Sequence, residues 1–389
     1  MQRVSVAPRS DWQQKARTYG FRFHSMYGQP YWDESAYYRF GLRQVEDGVE
    51  AVTAELHRMC LAAVGHVVQS EELLSRFAIP SAFHDAVRAS WERGDATLYS
   101  RLDLSWDGVG PARLLENNAD TPTSLYETGF WQWLWLEDLI AAGALPAHAD
   151  QFNSLQEQLI ERLAQLARMV GATLPLHVSC CRGSEEDRGT VQYLQDCAHQ
   201  AGVATRFVHI EDLGEGIDGS LTDLDDNVIR WMFKLYPWEF LMRDEAAALL
   251  PGCGVRFIEP WWKAVVANKA ILAVLWELFP GHPNLLPAWF EADAPSLSRG
   301  QWVRKPMYSR EGANVVLLRE GQVIEDSGGP YGSEGCIVQA WHPLPVHAGR
   351  HVLVGSWLVG DQPAGMSIRE DVGPITRDLS RFVPHALID

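Results

Sequence analysis

The 389-residue sequence predicts a mixed protein of helices and sheets, α+β with an embedded α/β unit. Three observations predict it. Apolar residues recur at helical spacing in the first part of the chain, and a strand–helix–strand pattern occupies the middle. Short alternating segments with glycine-rich joints fill the end. The chain divides softly into residues 1–170, 171–260 and 261–389. No Pro/Ser-rich linker separates these regions, so they are expected to pack into one body.

In the first region, Leu42, Val45, Val49, Val52, Leu56 and Met59 mark a helix between Phe40 and Val68. Tyr126 to Ala142 reads as a buried aromatic helix, whose run Phe130-Trp131-Gln132-Trp133-Leu134-Trp135 is a core seam. Asn153-Ser154 is placed to cap a third helix carrying Leu155, Leu159, Leu163 and Leu166. This mainly helical part is interrupted by a β-like segment at 98–118. The middle region has an apolar strand from Thr173 to Cys181, a helix from Glu186 to Ala201 and a strand from Val203 to Ile210. Such a unit implies parallel pairing through a right-handed crossover. Its first loop, Arg182 to Asp187, is acidic and lacks a dinucleotide-type glycine pattern; acidic residues there complement a helix dipole. From Trp302 onward, antiparallel strands are expected at Val303–Pro306, Asn314–Leu318, Gln322–Glu325, Gly335–Trp341 and His351–Val359.

Composition narrows the function. Apolar residues make up 47% and charged residues 21%, as in an ordinary globular chain. The formal net charge is −17, and no basic stripe with interleaved aromatics is present, which argues against a nucleic-acid partner. The same charge mildly favours cationic ligands such as polyamines. The six cysteines form neither a CxxC pair nor a zinc spacing, and Cys180-Cys181 reads as buried thiols within a strand. No signal-like apolar core and no membrane-length apolar run occur, so a cytoplasmic protein without membrane contact is expected.

The segment Tyr99 to Asn118 concentrates charge. Tyr99 to Trp106 alternates polar and apolar positions, Asp107 to Ala112 is turn chemistry, and Arg113 to Asn118 forms the return strand. Closure about Val109-Gly110 puts Asp103 opposite Glu116 and Arg101 opposite Asn118, all on one face. Facing carboxylates repel, by roughly several tenths of a kcal/mol, unless a divalent cation reverses the sign. Mg²⁺ takes one or two carboxylates together with substrate phosphates, and an Asn carbonyl completes such a set. Spacing alone leaves open a solvated face on which Arg101 merely screens Asp103. The small polar run Asn117 to Ser124, leading straight into a buried helix, favours a ligand site.

A Walker-type loop is absent, so lysines from separate elements are the candidates for phosphate contact. Lys269 opens an apolar helix and Lys305 ends a strand. Ser309, Arg310, Gly312 and Asn314 belong to a small polar loop suited to folding over phosphates. Gln339 lies in a strand able to read an adenine edge. Arg369, followed by Glu370 and Asp371, is placed to stabilise a transferring phosphoryl group; a surface ion pair is the alternative.

These segments together resemble the synthetase portion of the glutathionylspermidine synthase family, ligases of the ATP-grasp class. The likeness extends to a bacterial branch described as acid–amine ligases. It is carried by Arg101-Leu-Asp103, Glu116-Asn-Asn118-Ala-Asp120, Asn268-Lys269-Ala270, Lys305-Pro306, Ser309 to Asn314 and Ile368 to Asp371. The resemblance implies ATP and Mg²⁺ as cofactors, with Asp103, Glu116 and Asn118 as magnesium ligands. Arg101 and Arg369 would contact the reacting phosphoryl and acyl groups, and Lys269, Lys305, Ser309, Arg310, Gly312, Asn314 and Gln339 would hold the nucleotide. Asp120, Thr121, Thr123, Glu186 and Asp371 would meet the substrates, a small-molecule or peptide carboxylate and an amine, polyamines among the candidates. The implied fold is an ATP-grasp core in 261–389, a pre-ATP-grasp-like βαβ domain in 171–260 and a helical region in 1–170 carrying the hairpin. Two departures stand out. The sequence has no room for the amidase domain of bifunctional members, and Thr121 and Thr123 replace serines of the glutathione-using ones. A catalytically silent ATP- or polyamine-binding regulatory protein, and a ligase for an amino acid or peptide amine, remain the alternatives.

Overall fold

Leu102 and Leu104 alternate with Arg101 and Asp103, and that alternation sets the central sheet of the computed structural model, which describes residues 1–26, 28–171, 174–377 and 380–389. The strand Tyr99–Ser105 is buried at every position, so both of its faces are covered. It pairs with Arg113–Asn118 on one side and with Arg350–Val359 on the other, both antiparallel. The sheet continues through Gln362–Asp371 to Arg381–Val383, and Val346–His347 adds a short sixth strand. Leu102, Leu104, Val352, Val354, Met366 and Ile368 form its apolar face, in one cluster with Leu56, Met59, Cys60 and Ala63 of the helix Ala51–Val68. Arg101, Asp103 and Arg369 are on the opposite face, where Asp103 pairs Gly355 and Arg369 pairs Leu353.

The hairpin register follows the expected pairing as far as Arg101↔Asn118 and Asp103↔Glu116, then departs from it. A bulge after Asp103 sets Leu104 against Leu114, so closure is not symmetric about Val109-Gly110. A bulge accommodates one extra residue and bends the strand.

The βαβ unit is present as Leu176–Cys180, Glu185–Gln200 and Thr205–Phe207, with parallel pairing. The expected start of its first strand at Thr173 lies outside the described residues. Ser184 caps the helix by accepting from the Asp187 amide at 3.1 Å. Two further parallel strands, Trp231–Leu235 and Arg256–Ile258, complete a four-stranded sheet. A five-stranded antiparallel sheet runs in the order Ala288–Phe290, Cys336–Ala340, Gln301–Pro306, Val316–Arg319, Gln322–Asp326.

Three features depart from or add to the expected pattern. Residues 1–170 carry strands besides the hairpin: Gln2–Ser5 and Ala36–Phe40 form a small sheet with His385–Leu387 from the far end of the chain. The two long N-terminal helices contain π turns, at Glu46–Glu50 and Glu127–Trp131. Ser154 precedes its helix without a side-chain cap: its hydroxyl donates to the Ala364 carbonyl at 3.1 Å and accepts from Gln158 Nε2 at 2.8 Å. That helix, Leu155–Val170, ends on Gly171 in the left-handed conformation, φ 68°.

A buried ion pair ties the parallel sheet to the end of the hairpin. Lys234 Nζ donates to Asp120 Oδ1 at 2.7 Å, with both residues almost wholly buried. The other Asp120 oxygen accepts from the Trp238 amide at 2.7 Å. Removing one partner strands the other charge, so Lys234→Ala should lower stability by about 3–5 kcal/mol in urea denaturation. A loss below about 1 kcal/mol would show that the pair does not lock the two sheets together.

Candidate active site

The charged face of the central sheet and the inner face of the five-stranded sheet line one cavity. Asp103 is at its floor. It accepts from Arg101 through Nε at 2.6 Å and Nη2 at 3.1 Å, from Arg369 Nη2 at 2.8 Å and from Asn118 Nδ2 at 3.2 Å. Glu116, directly opposite, pairs with Lys269 Nζ at 3.1 Å and accepts from Asn118 Nδ2 at 3.3 Å. The facing carboxylates are thus held together by cations on either side, and Arg101 does screen Asp103, but inside the protein. Burial raises the Glu116 carboxyl, yet Lys269 and Lys305 outweigh it and hold the group well below the usual carboxylate range. Burial drives Lys305 down to about 8 against the pull of Glu116.

Asp103, Glu116 and Asn118 fit a hard divalent cation. The Asn118 amide is within hydrogen-bond distance of both carboxylates, so turning it over presents a third oxygen to the same place. Two carboxylates and an amide oxygen, completed by substrate phosphates, is the donor set Mg²⁺ uses. Among the described residues no cluster of three or more His, Cys, Asp or Glu side chains exists that could hold a metal by itself. The Ser309 hydroxyl in the cavity wall is buried with no hydrogen-bond partner among the described residues, an orphan that a phosphate oxygen would satisfy.

The remaining lining residues come from the expected loop and strands. Lys269 Nζ donates to the Ser309 carbonyl at 2.5 Å, joining the helix start to the polar loop. Arg310 reaches across to donate to Thr121 Oγ1 at 3.0 Å, and Arg101 Nη1 donates to the Thr123 carbonyl at 2.7 Å. Asp120 and Gly312 also border the cavity. Gln339 orients a lysine: its amide oxygen accepts from Lys305 Nζ at 2.8 Å and its nitrogen donates to the Leu114 carbonyl at 3.2 Å. Its strand is paired on both edges.

Asn314, Glu186 and Asp371 lie outside the lining. Asn314 Oδ1 accepts from the Tyr331 amide at 2.7 Å, fastening the polar loop to the glycine-rich segment beside it. Glu186 stands in the first turn of the Glu185–Gln200 helix. Asp371 accepts from Ser380 Oγ at 2.7 Å and the Arg377 amide at 2.9 Å, shaping the turn that brings Arg377 to the cavity. Arg377 and Glu239 are lining residues without a motif to announce them. Burial raises the Glu239 carboxyl, with Arg310 opposing.

Gly355 is the other residue that sequence patterns miss. A Cβ there would meet Arg101 Cδ at 2.9 Å and Ser367 Oγ at 2.5 Å, so glycine leaves the lane in which the Arg101 side chain lies.

Comparison with known proteins places the chain among the carbon–nitrogen ligases. The chain belongs to the glutathionylspermidine synthase pre-ATP-grasp family, whose profile matches residues 3–388. A Haemophilus influenzae protein named “Putative acid--amine ligase” is 36% identical over 400 residues, covering 100% of both chains. The bifunctional glutathionylspermidine synthetase/amidase of Escherichia coli is 28% identical over 358 residues, 85% of this chain and 56% of its own. Trypanothione synthetase of Crithidia fasciculata is 27% identical over 352 residues, 84% of this chain and 53% of its own, so the chain spans about half the length of these two. In fold, the chain is similar to a glutathione synthetase-like effector from Globodera pallida, solved in its apo form. The TM-score is 0.55 at 12% identity, over 90% of this chain and 89% of that one.

Gly355→Ala should displace Arg101 while leaving the sheet intact. Overpacking of this kind costs about 1–3 kcal/mol, here directed at the site. Nucleotide turnover should fall by about tenfold or more with a melting temperature within a few degrees of wild type. Unchanged turnover would show that Arg101 does not need this lane.

Proposed function

We propose that the protein is a Mg·ATP-dependent carboxylate–amine ligase that forms an amide through an acyl phosphate. One observation supports this reading most. Arg101, Arg369, Lys269 and Lys305 converge on the same buried cavity as Asp103, Glu116 and Asn118, a cationic cradle joined to an oxygen donor set.

In this reading Lys269, Lys305, Ser309 and Arg310 hold the ATP phosphates. Asp103, Glu116 and Asn118 hold Mg²⁺, which supplies neutralisation of phosphate charge when bound. A substrate carboxylate oxygen attacks the γ-phosphorus and ADP leaves. The amine nitrogen then attacks the acyl carbon, the bond to phosphate breaks, and the nitrogen gives up its proton. Arg101 and Arg369 face the transferring group, where preorganised charge lowers the barrier. The 309–314 loop excludes water that would hydrolyse the acyl phosphate. Thr121 and Thr123 border the acid side. Glu239 in the cavity wall, together with the net negative charge, favours a cationic amine. Residues 171–260 act as the pre-ATP-grasp-like unit, residues 261–389 as the ATP-grasp nucleotide-binding region, and residues 1–170 contribute the hairpin.

ADP release from Mg·ATP, screened over a matrix of acids and amines with mass spectrometry of adducts, tests the reading. An acid–amine pair should give ADP, phosphate and an amide of the summed mass less one water. Asp103→Asn and Arg369→Ala should each lower turnover by about 10²–10³-fold, the scale of removing one transition-state contact. Full turnover in either folded variant would exclude the assignment.

A further inference from the structure

The helix after the hairpin contains a π turn, Glu127–Trp131, a rare geometry that concentrates at functional sites. It carries Glu127 inward. The residue has 0% exposure, and neither carboxylate oxygen makes a hydrogen bond of good geometry among the described residues, the Tyr31 hydroxyl being the polar group beside it. Tyr31, Arg101 and Arg369 face it, and the Tyr31 hydroxyl shares a 2.9 Å hydrogen bond with Ser124 Oγ. Burial raises the carboxyl to about 7, with Tyr31 and the two arginines pulling the other way. An unpaired buried acid is costly and calls for an explanation. Arg369 presents the complementary orphan: its Nε is buried and has no partner among the described residues.

One oxygen of Asp103, meanwhile, is overfilled. Oδ2 accepts from Arg101 Nη2, Arg369 Nη2 and Asn118 Nδ2, three donors for two lone pairs, whereas Oδ1 accepts from Arg101 Nε alone. A cation binding Oδ2 must displace donors. Asn118 leaves by turning its amide. Of the two arginines, Arg101 is held by a fork and by the Thr123 carbonyl, whereas Arg369 has a single bond to Asp103. Arg369 is therefore the one to yield. Its freed Nη2 and orphan Nε then form a fork matched to a second carboxylate.

We propose that Glu127 is a positioning residue, an alternate counterion that takes Arg369 when Asp103 turns to the Mg²⁺ of bound nucleotide. This rests on the ligase reading above. It makes Glu127 necessary for the Mg²⁺-bound state and not for the metal-free one.

The test uses the full chain and calorimetric binding of a non-hydrolysable ATP analogue, adenylyl imidodiphosphate, titrated over Mg²⁺ concentration. Glu127→Gln keeps the shape and loses the charge. Its affinity without Mg²⁺ should equal wild type. The Mg²⁺ concentration for half-maximal tightening should rise about tenfold or more, the scale of one charge-assisted hydrogen bond. Its melting temperature should not fall. Arg369→Lys, which cannot form the fork, should raise the Mg²⁺ requirement likewise, and the double variant should be no worse than the poorer single. Wild-type Mg²⁺ dependence in Glu127→Gln, or additive losses in the double variant, overturns the inference alone. Absence of Mg²⁺-dependent analogue binding in wild type overturns the ligase reading and the inference with it.

Discussion

Two carboxylates facing each other across neighbouring strands, inside a protein, need cations to hold them there. In this molecule the pair is Asp103 and Glu116, and much of the surrounding architecture supplies those cations. Arg101 comes from the same strand, Arg369 from a strand two places away, and Lys269 from the start of an apolar helix. Each charge removed from water costs several kcal/mol, so the set persists only because every member has partners of good geometry. The central sheet meets that condition by burying both faces of Tyr99–Ser105, one against the Ala51–Val68 helix and one against the charged cavity.

That burial also explains why the cavity is suited to phosphoryl chemistry. Water-poor surroundings strengthen each charge–dipole contact and hold donors in place before a ligand arrives. The cost appears as orphaned groups: the Ser309 hydroxyl, the Arg369 Nε and both oxygens of Glu127. The Ser309 hydroxyl and Arg369 Nε belong to residues lining the cavity, where a ligand would complete their hydrogen bonding. Gln339 shows the supporting arrangement, with its side chain spent on orienting Lys305.

Much of this was legible in the chain. Period-two alternation marked the hairpin, and turn chemistry predicted Asp103 opposite Glu116. The pairing is local, so sequence spacing controls it. The bulge beyond Asp103 was not legible, because it depends on Leu114 and Leu104 sharing the apolar face with a distant helix. Helical spacing located the Leu155–Val170 helix, but the Ser154 hydroxyl went to Ala364, some 210 residues away. The sheet of Gln2–Ser5, Ala36–Phe40 and His385–Leu387 joins the two ends of the chain, a pairing that local patterns do not encode. At the site, charged residues within motifs were found from their neighbours. Gly355, Glu239 and Glu127 were not, since each acts through a partner brought close by folding.

The account centres on a shift of partners at Asp103, from arginine in the structure described here to a metal ion in the nucleotide complex. A crystal structure of the protein with Mg²⁺ and a non-hydrolysable ATP analogue measures that shift directly. Oxygens of Asp103, Glu116 and Asn118 should lie about 2.0–2.1 Å from the cation, with Lys269 and Lys305 on the phosphates and Arg369 moved off Asp103. A nucleotide bound elsewhere, or a cation that leaves Asp103 with both of its arginines, would contradict the account.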